Sequence, residues 1–450
     1  MGLGTDIRVV EARAFFRTEQ TEDGLAFGRQ RTADLTLCHV RVRVESRRGD
    51  PGVGWGAIFL SHPWAMPQVP LPAEARDGLM RELVVDACER AAGDGEFTHP
   101  LDIFSRLRGE RPVPASARGL AAPIPELARL VCLSPVDAAI HDAFGIAAGI
   151  SSYDAYGPEH CAHDLAPLVG EGLAGRYAAD FLREEAATRV PVAHTVGLGD
   201  SLTDPRRSDL EGPPRTLERW IARDGVYCFK VKFGGDIAWD LERLIEVHDV
   251  AASALGGRPI ELSVDFNGQC PSVDLLVGLL EDLRRRSPAT YAALRYVEQP
   301  TAPETTPEVR AASALKPMIL DEAFTRLDEI EPALEAGWSG VAIKTCKGQS
   351  LCLLGLAAVR RRDAMCVIQD LSNVGVAFLQ SVGLASRLPE MTGLEANARQ
   401  YYPNSSGPET AAHPDVMRVA EGCVSTSSLG GPGLGYRVGR IPRDIFQEVG

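Results

Sequence analysis

Nine residues near the middle of the chain read Tyr227-Cys228-Phe229-Lys230-Val231-Lys232-Phe233-Gly234-Gly235, an apolar run with two lysines that stops at a pair of glycines. Side chains on a β-strand alternate between its faces, so Lys230 and Lys232 should emerge on the same side. Like charges this close, together with partial burial, should lower the pKa of at least one lysine toward neutrality, where a base can work. Lysines that protect an edge strand from aggregation would give the same pattern, so the interpretation depends on the rest of the chain.

The overall composition indicates a large globular protein. The 450 residues are 45% hydrophobic and 24% charged, which is enough for two or three domains. The formal charge is -14, and no cluster of lysine and arginine is dense enough to neutralise a phosphate backbone, so we expect no nucleic-acid partner. The chain does not open on a basic region followed by an apolar stretch, and it has no run of about 18 apolar residues. We therefore expect a cytoplasmic protein without a membrane partner.

The first part of the chain predicts a small unit of strands followed by helices. Alternating or apolar runs predict three strands, and apolar residues at helical spacing predict two helices. Ser134 is a plausible N-cap of the second helix, with Pro135 at its first helical position. Strands followed by helices indicate an α+β arrangement. The predicted strands cover residues 7–10, 35–44 and 54–60, and the predicted helices cover 73–92 and 136–148.

A second pattern begins near residue 190, where short β-rich runs alternate with helix-like stretches. Parallel strands that are buried on both faces read as continuous apolar runs. Eight such runs in succession predict an α/β protein with a (β/α)8-type barrel. The predicted strands cover 190–195, 226–233, 260–266, 294–298, 317–321, 340–344, 366–370 and 392–396.

Polar side chains follow one another at the C-terminal ends of five of these predicted strands. In a barrel those ends converge on the catalytic face. A single aspartate before a turn is usually a cap, but a set in register on successive strands is not explained in that way. The set consists of Lys230 and Lys232, Asp265 and Asn267, Glu298, Asp321 and Glu322, and Lys344.

Three carboxylates in this set could bind a metal. Asp265, Glu298 and Asp321 would supply oxygen ligands from adjacent strands, which suits Mg2+. Zinc is disfavoured because no histidine or cysteine accompanies them. Lys232 and Lys344 belong to strands on either side of the three carboxylates, so they could approach a metal-bound substrate from opposite faces.

Taken in order, these motifs resemble the enolase superfamily, and within the mandelate racemase/muconate lactonizing enzyme family they resemble its muconate-lactonizing-like branch. The seventh predicted strand carries no histidine, which is where the mandelate-racemase-like branch would carry its base. The helix around 137–145 resembles the one that joins the family's cap to its barrel, and 431–435 resembles its C-terminal signature. The resemblance rests on Lys-Val-Lys, Val264-Asp265-Phe266-Asn267, Val297-Glu298-Gln299-Pro300, Leu320-Asp321-Glu322 and Ile343-Lys344.

The resemblance implies an enzyme that removes the proton α to a carboxylate and holds the enediolate on Mg2+. By this analogy Lys232 and Lys344 are the acid and base, and Lys230 is an electrostatic helper. Residues 1–160 would form an N-terminal α+β capping domain, 161–397 the barrel, and 398–450 a segment that packs back on the cap. The expected substrate-binding residues are Asn267, Thr195, Asp370, Glu395 and Trp64.

Several alternatives stay open at this point. Dehydration, racemisation or epimerisation, and cycloisomerisation all fit the motifs, and a catalytically silent barrel that serves as a binding or scaffold protein is a further alternative. A dipeptide epimerase is disfavoured, because the Asp-x-Asp expected at the last strands is absent. We expect a homo-oligomer that acts on a small-molecule carboxylate. Substrate preference is expected to come from 18–28 and 61–70, with Phe27, His62 and Trp64.

Overall fold

The structure is a computed structural model that describes residues 2–22, 24, 26–27, 30–31, 34–118, 123–204, 214–390 and 393–447. Its first part contains an antiparallel sheet of three strands in the order β1-β4-β5, and a small hairpin made of β2 and β3. These strands are β1 (Ile7–Glu19), β2 (Ala26–Phe27), β3 (Gln30–Arg31), β4 (Leu35–Ser46) and β5 (Pro51–Phe59).

Four helices complete this first part, which we call the cap. The predicted helix 73–92 is present as α2, but the second helix starts at Glu126 and has Pro135 in its interior, so its predicted start and cap are wrong. Proline cannot donate to the carbonyl four residues earlier. The Ser134 hydroxyl donates to that carbonyl, Val131 O, at 2.9 Å, and so the helix continues. The helices are α1 (His62–Ala65), α2 (Ala73–Asp94), α3 (Pro100–Gly109) and α4 (Glu126–Ala148).

Three glycines at alternate positions of β5 let α4 lie directly on the sheet. A Cβ atom at Gly52 would come within 2.2 Å of Ala143 O, one at Gly54 within 2.1 Å of Ala143 N, and one at Gly56 within 2.1 Å of Pro135 O. By length and composition α4 could cross a membrane, but 94% of its most apolar window is buried inside the protein. We interpret α4 as the core helix of the cap.

This contact gives a stability prediction. Gly54→Ala should lower the free energy of unfolding by about 1–3 kcal/mol, because an added methyl group has no room against the helix backbone. Gly78→Ala is a matched control: Gly78 lies inside α2 with no atom within 4 Å of an added Cβ, and helix propensity there should raise stability by up to about 1 kcal/mol. Urea unfolding of both variants measures the difference. If Gly54→Ala were as stable as the wild type, the close packing of α4 would be wrong.

Eight parallel strands form the second part, and they match the eight predicted ones. The sheet runs in the order β12-β11-β10-β9-β8-β7-β6-β13. The predicted 392–396 begins at a residue outside the described part of the chain. The strands are β6 (Arg189–Val196), β7 (Cys228–Lys232), β8 (Glu261–Asp265), β9 (Leu294–Glu298), β10 (Met318–Leu320), β11 (Gly340–Lys344), β12 (Met365–Gln369) and β13 (Leu394–Glu395).

The parallel sheet curls until its two end strands face each other. Among the described residues β12 and β13 share no backbone ladder, but one side chain reaches both. Lys230 Nζ, on β7, donates to Gln369 Oε1 of β12 and to Glu395 Oε2 of β13, both at 3.2 Å. Gln369 Nε2 also lies 2.5 Å from the Tyr296 hydroxyl on β9. The predicted fold class, a barrel with an N-terminal cap, is confirmed.

The helices that follow the barrel strands cover the outside of the sheet. Thr216, Asp236 and Ser272 cap α6, α7 and α8, because each side chain accepts a hydrogen bond from a backbone N–H of the first turn. The helices are α5 (Ala166–Val169), α6 (Leu217–Asp224), α7 (Ile237–Leu255), α8 (Val273–Arg286), α9 (Pro288–Ala293), α10 (Arg310–Ser313), α11 (Ile330–Glu335), α12 (Gln349–Arg360) and α13 (Gly375–Ser386). Short 3-10 helices lie at Ala115–Ala117, Ser152–Asp154, Glu171–Leu173, Ala178–Phe181, Leu327–Glu329, Thr345–Lys347 and Val438–Arg440.

The last part of the chain returns to the cap. The Leu434 N–H donates to Asp142 Oδ1 of α4 at 2.7 Å, while the Trp55 N–H of β5 donates to the other oxygen at 3.0 Å. Phe446 stacks edge-on against Trp55 at 4.7 Å. The domain limits at 160 and 397 stay a prediction. The remaining elements are α14 (Ala398–Tyr401), α15 (Gly407–Ala412), α16 (Pro414–Met417), α17 (Asp444–Gln447) and β14 (Cys423–Ser425), which pairs antiparallel with β6.

Candidate active site

The C-terminal ends of β7 to β11 bring the six predicted catalytic and metal-binding residues together. Neighbouring strands are in register, so that Lys232 lies opposite Asp265 and Asp265 lies opposite Glu298. Asp321 follows the last residue of β10, and Lys344 is the last residue of β11. All of these side chains are buried. Charged groups withdrawn from water in this way must be paired with one another or with a ligand.

Lys230 is fully buried and is surrounded by polar side chains of several strands. Its ammonium group donates to Glu298 Oε1 at 2.8 Å as well as to Gln369 and Glu395, and it lies 3.0 Å from Asp265 Oδ2. An ammonium group has three donors, and all three are used here. Lys230 therefore holds carboxylates from several strands in place and has no free donor for a substrate. That Lys230 acts as an electrostatic helper of the acid and base stays a prediction.

Lys232 and Lys344 each pair with one outer carboxylate. Lys232 Nζ lies 2.6 Å from Asp265 Oδ2, and Lys344 Nζ lies 2.5 Å from Asp321 Oδ2. Glu298 lies between these two pairs, and its Oε1 atom is 3.8 Å from Lys344 Nζ. The two lysines are therefore arranged on opposite sides of the three carboxylates, as the order of the strands predicts.

An aromatic ring of the cap covers each of these two lysines. The Phe27 ring centre lies 6.0 Å from Lys232 Nζ, and the Trp64 ring centre lies 4.9 Å from Lys344 Nζ. The Trp64 indole N–H also donates to Glu322 Oε1 at 2.8 Å. A cation near the face of an aromatic ring is stabilised, most of all where water is excluded. The cap therefore closes the site from above with two rings.

The pKa values of the lysines differ from the sequence-based prediction. Burial alone would lower the pKa of Lys230, but Asp265, Glu298 and Glu395 outweigh it and raise that pKa well above its usual value. Burial is likewise outweighed at Lys344, where Asp321 raises the pKa. The sequence predicts a lowered pKa for at least one of Lys230 and Lys232, and at Lys230 the pKa is raised instead, because the buried carboxylates outweigh the effect of burial.

The pKa values of the carboxyl groups around these lysines are also shifted. Burial and the neighbouring Asp265 raise the pKa of Glu298 to about 8, and burial and Glu395 raise that of Asp370 to about 8. At Asp265 the effect of burial is overcome by Lys230 and Lys232, and its pKa is lowered. Among the described residues the cluster has six carboxyl groups, Asp265, Glu298, Asp321, Glu322, Asp370 and Glu395, and four ammonium groups, Lys230, Lys232, Lys344 and Lys347. Two negative charges are left over when all ten are ionised.

This imbalance fits a divalent cation at the three predicted ligands. The donors are oxygen atoms only, and Glu298 Oε2 is buried without a hydrogen-bond partner among the residues that the structure describes. Within the described ranges no three His, Cys, Asp or Glu side chains converge closely enough to hold a metal as they stand. In the structure Lys232 Nζ lies against Asp265 and Lys344 Nζ lies against Asp321. The residues thus suit Mg2+ chemically, and Mg2+ stays a prediction.

A small pocket lies beside the two lysines, between the barrel and the cap. Its volume is about 40 Å3, which is room for a few water molecules. Four of the five predicted substrate-binding residues line it. Thr195 is not among the lining residues, and its hydroxyl donates to Glu395 Oε1 at 2.6 Å. His62 is also outside the lining, which consists of Phe27, Leu35, Ser61, Trp64, Lys232, Asn267, Lys344, Asp370, Leu371, Ser372, Glu395 and Asn397.

Sequence reasoning did not assign Lys347 to the site. Its ammonium group donates to Asp321 O at 2.6 Å, Asp321 Oδ1 at 3.1 Å and Phe324 O at 3.0 Å, so Lys347 fixes one oxygen of Asp321 and leaves the other toward Lys344. The signal for it is scarcity: the chain has 42 arginines but only five lysines, and four of the five lie in this cluster. Arginine cannot lose its proton in a protein, whereas lysine can.

Gln299 is a second residue that sequence reasoning left without a role. Its backbone is left-handed, with φ 34°, and its side-chain oxygen accepts from Asp321 N at 2.9 Å and Ala323 N at 3.1 Å. A strained non-glycine residue persists only where its surroundings hold it, and such residues gather at functional sites. Gln299 therefore links the end of β9 to the end of β10, and with them Glu298 to Asp321.

A loop of the cap is tied to the last part of the chain, at and just after α14. The Glu22 N–H and the Thr21 hydroxyl both donate to Tyr401 O at 3.1 Å, and Asn404 Nδ2 donates to Glu22 Oε1 at 2.8 Å. Part of the predicted specificity loop 18–28 lies outside the described residues. The described part links the cap to the segment that follows the last barrel strand.

The chain is similar in sequence or in fold to several known proteins. A family model described as enolase C-terminal domain-like matches residues 214–440. No curated protein matches the sequence. Solved structures that are similar include an L-Ala-D/L-Glu epimerase from Bacillus subtilis, with a TM-score of 0.63 and 14% identity over 95% of this chain and 98% of that one. An N-succinyl Arg/Lys racemase from Bacillus cereus has a TM-score of 0.61 and 15% identity, over 99% of this chain and 98% of that one. A 2-chloromuconate cycloisomerase from Rhodococcus opacus has a TM-score of 0.60 and 19% identity, over 97% of this chain and 100% of that one. Identities this low support the fold alone.

Proposed function

Because this chain belongs to the enolase superfamily, through its enolase C-terminal domain-like region, we propose that it is a Mg2+-dependent isomerase. It would remove the proton α to a substrate carboxylate and return a proton to the same carbon, as a racemase or epimerase does. The observation that carries this proposal is that Lys232 and Lys344 line one pocket from opposite sides of the three carboxylates. A homo-oligomeric state and a cytoplasmic location stay predictions.

The chain's own residues would divide the work as follows. Asp265, Glu298 and Asp321 would hold Mg2+, which would stabilise the negative charge that develops on the substrate carboxylate. Lys232 and Lys344 would then be relieved of their carboxylate partners, so that one of them could lose its proton and act as base. The other lysine would keep its proton and act as acid. Lys230 and Lys347 would remain bound to the carboxylates and keep them in position.

The two rings of the cap would exclude water from the reacting carbon. Phe27 and Trp64 cover the two pocket lysines, and Trp64 is itself fixed through Glu322. A proton that is transferred between a lysine and the substrate carbon is protected from loss to solvent when the site is closed. Trp64 would therefore contribute to substrate preference through the shape of the pocket wall.

The residue at the end of β12 supports the assignment to the muconate-lactonizing-like branch. Its last residue, Gln369, binds Lys230 and the Tyr296 hydroxyl and offers no base. Both bases must then come from lysines on β7 and β11. Dehydration and cycloisomerisation need only one of these lysines, so the paired geometry favours a reaction that uses both.

Exchange of the α-proton with solvent tests the proposal. The protein with Mg2+ should incorporate deuterium from D2O at the α-carbon of a suitable chiral carboxylate and should invert that carbon, as followed by NMR and by optical rotation. A panel of N-acyl amino acids and hydroxy acids covers the open substrate class. Formation of a 2-oxo acid by loss of water from the substrate would indicate a dehydratase instead. Absence of exchange across the panel, in a protein that binds Mg2+, would favour the silent barrel that acts only in binding.

A further inference from the structure

A second cavity lies away from the two pocket lysines, between the cap and the outer helices of the barrel. Its volume is about 410 Å3, whereas the pocket beside Lys232 and Lys344 has about 40 Å3. Helix α3 forms one wall, and α5, α12 and the 3-10 helix Leu327–Glu329 form the others. Among the described residues, none lines both cavities. Ligand pockets in proteins commonly have volumes of about 300–1,000 Å3, so this cavity has room for a small organic molecule.

Part of the cavity wall is apolar. Phe104 and Leu354 are buried, and Leu168, Val169 and Leu327 are half-buried. The apolar surface joins elements of the cap to elements of the barrel, because Phe104 belongs to α3 and Leu354 to α12. Such a surface would remove the body of an organic molecule from water, which is favourable in proportion to the apolar area covered.

The rest of the wall is positively charged. The lining has three guanidinium groups, those of Arg108, Arg111 and Arg326, but only two carboxylates, those of Glu126 and Asp328. Asp328 is paired with Arg326, and this hydrogen bond lowers the pKa of Asp328. One positive charge is therefore left over in the lining, in a protein whose formal charge is -14.

Two further charged side chains lie just outside the lining, one negative and one positive, so the excess remains. Glu329 accepts hydrogen bonds from the backbone N–H groups of Thr325 and Arg326, at 2.9 Å and 2.7 Å. Arg129 brings another positive charge beside Glu126: burial lowers the pKa of Arg129, and Glu126 opposes that effect. Glu126 is thus the shared partner of several guanidinium groups.

Most hydrogen-bond donors of Arg108 and Arg111 have no acceptor. Arg108 Nη2 donates to Thr325 O at 2.8 Å, which joins α3 to the loop after β10. Arg108 Nε and Arg111 Nη2 lie 3.5 Å and 3.4 Å from the Glu126 oxygens, beyond the usual range of a hydrogen bond. A guanidinium group has five donors, so in the described part of the chain most of those on Arg108 and Arg111 are available to water or to a ligand. Arg326 adds to the lowering of the Arg108 pKa that burial causes, so these two guanidinium groups repel each other.

We propose that this cavity binds a small organic anion, whose body contacts the apolar wall and whose anionic group accepts hydrogen bonds from Arg108 and Arg326. Guanidinium groups suit phosphate and carboxylate groups alike, because their donors form a planar fork. The bound anion would add a second tie between α3 and the loop that begins with Asp321, beside the existing hydrogen bond of Arg108. It would therefore hold the cap more firmly on the barrel. This proposal does not rest on the proposed function.

Aryl probes that differ in charge test the site. Phenyl phosphate and benzoate are compared with the uncharged benzyl alcohol, each titrated calorimetrically into the protein in the absence of Mg2+. At least one of the two anions should bind more tightly than benzyl alcohol by roughly tenfold to a hundredfold, the range of hydrogen bonds to charged groups. The anion that binds more tightly distinguishes recognition of a phosphate from recognition of a carboxylate. High salt should weaken binding of the anion.

Two variants with opposite expected effects locate the binding. Arg326→Gln removes a guanidinium group and should weaken binding of the preferred anion by roughly tenfold. Asp328→Asn releases Arg326 from its carboxylate and should tighten binding of that anion, and neither variant should change the affinity for benzyl alcohol. The exposed pair of Arg285 and Asp282 on α8 is the matched control, and Arg285→Gln and Asp282→Asn should bind both kinds of probe as the wild type does.

Equal binding of benzyl alcohol and of both anions by the wild type would overturn the proposal. An anion affinity that stays unchanged in both Arg326→Gln and Asp328→Asn would also overturn it, because the anion would then bind elsewhere. All four replaced side chains are exposed, and melting temperatures check that the variants fold. If Arg326→Gln does not fold, the tighter binding expected of Asp328→Asn decides.

Discussion

Replacing Lys232 or Lys344 with methionine should lower turnover by about 10²- to 10⁴-fold, the contribution that positioned acid-base groups make to catalysis. Methionine fills most of the space of the lysine side chain but has no proton to give or accept. Asp265 would keep Lys230 nearby, and Asp321 would keep Lys347, so neither carboxylate is left without a cation. Steady-state kinetics on the substrate found by exchange, with melting temperature as a folding check, measure the effect.

The two variants should also differ from each other. Each lysine would face one side of the α-carbon, so each variant should keep α-proton exchange with one enantiomer and lose it with the other. Lys316→Met is a matched control, because Lys316 is the one lysine outside the site and donates to Leu294 O at 2.7 Å. That variant should turn over as the wild type does. Near-native turnover in both site variants would refute the lysine pair as acid and base.

Replacing Glu298 with glutamine should remove most of the affinity for Mg2+. Loss of a partner that only orients a ligand costs about 10- to 100-fold in metal affinity, so loss of the central ligand should cost at least as much. Glu298 is the residue between the two lysine-carboxylate pairs, and its Oε2 atom is the one left unpaired. Calorimetric titration with Mg2+ measures the affinity without reference to activity.

Controls for the metal prediction are available within the same chain. Glu281→Gln, on the exposed face of α8, should bind Mg2+ as the wild type does. A chelator should abolish activity and added Mg2+ should restore it, and a metal-loaded structure should have carboxylate oxygens about 2.0–2.1 Å from the ion. Unchanged affinity in Glu298→Gln, or a sulfur or imidazole ligand in the loaded protein, would show that the ligand set is wrong.

The sequence predicts much of the barrel because its strands are buried on both faces and therefore read as apolar runs with polar ends. The same pattern correctly places Lys232, Asp265, Glu298 and Lys344 at the C-terminal ends of their strands. The prediction is wrong for the start of α4. Pro135 has the sequence pattern of a first helical residue, but in the structure the helix continues through it, and the Ser134 hydroxyl donates to the carbonyl that Pro135 cannot reach.

Contacts between distant strands cannot be read in this way. The pKa of Lys230 is raised by Asp265, Glu298 and Glu395, which lie far along the chain, so the direction of its shift cannot be read from the local run of residues. A contact between Thr195 and the substrate stays a prediction, and in the structure the Thr195 hydroxyl donates to Glu395 on the neighbouring strand. Strand order predicts which residues meet at the barrel mouth, whereas the direction of each side chain depends on packing that only the folded chain supplies.

The scarcity of lysine has a consequence for chemical labelling. With 42 arginines and five lysines, nearly all side-chain amines of the protein lie buried at the mouth of the barrel, and the remaining one, Lys316, is partly covered and bonded to a carbonyl. Reagents that acylate amines will therefore find few targets on the outer surface. Labelling of Lys232 and Lys344 would require the rings of Phe27 and Trp64 to move aside. The rate at which an acylating reagent modifies these two lysines would thus depend on movement of the two rings and, at Lys344, on loss of the proton that its raised pKa retains.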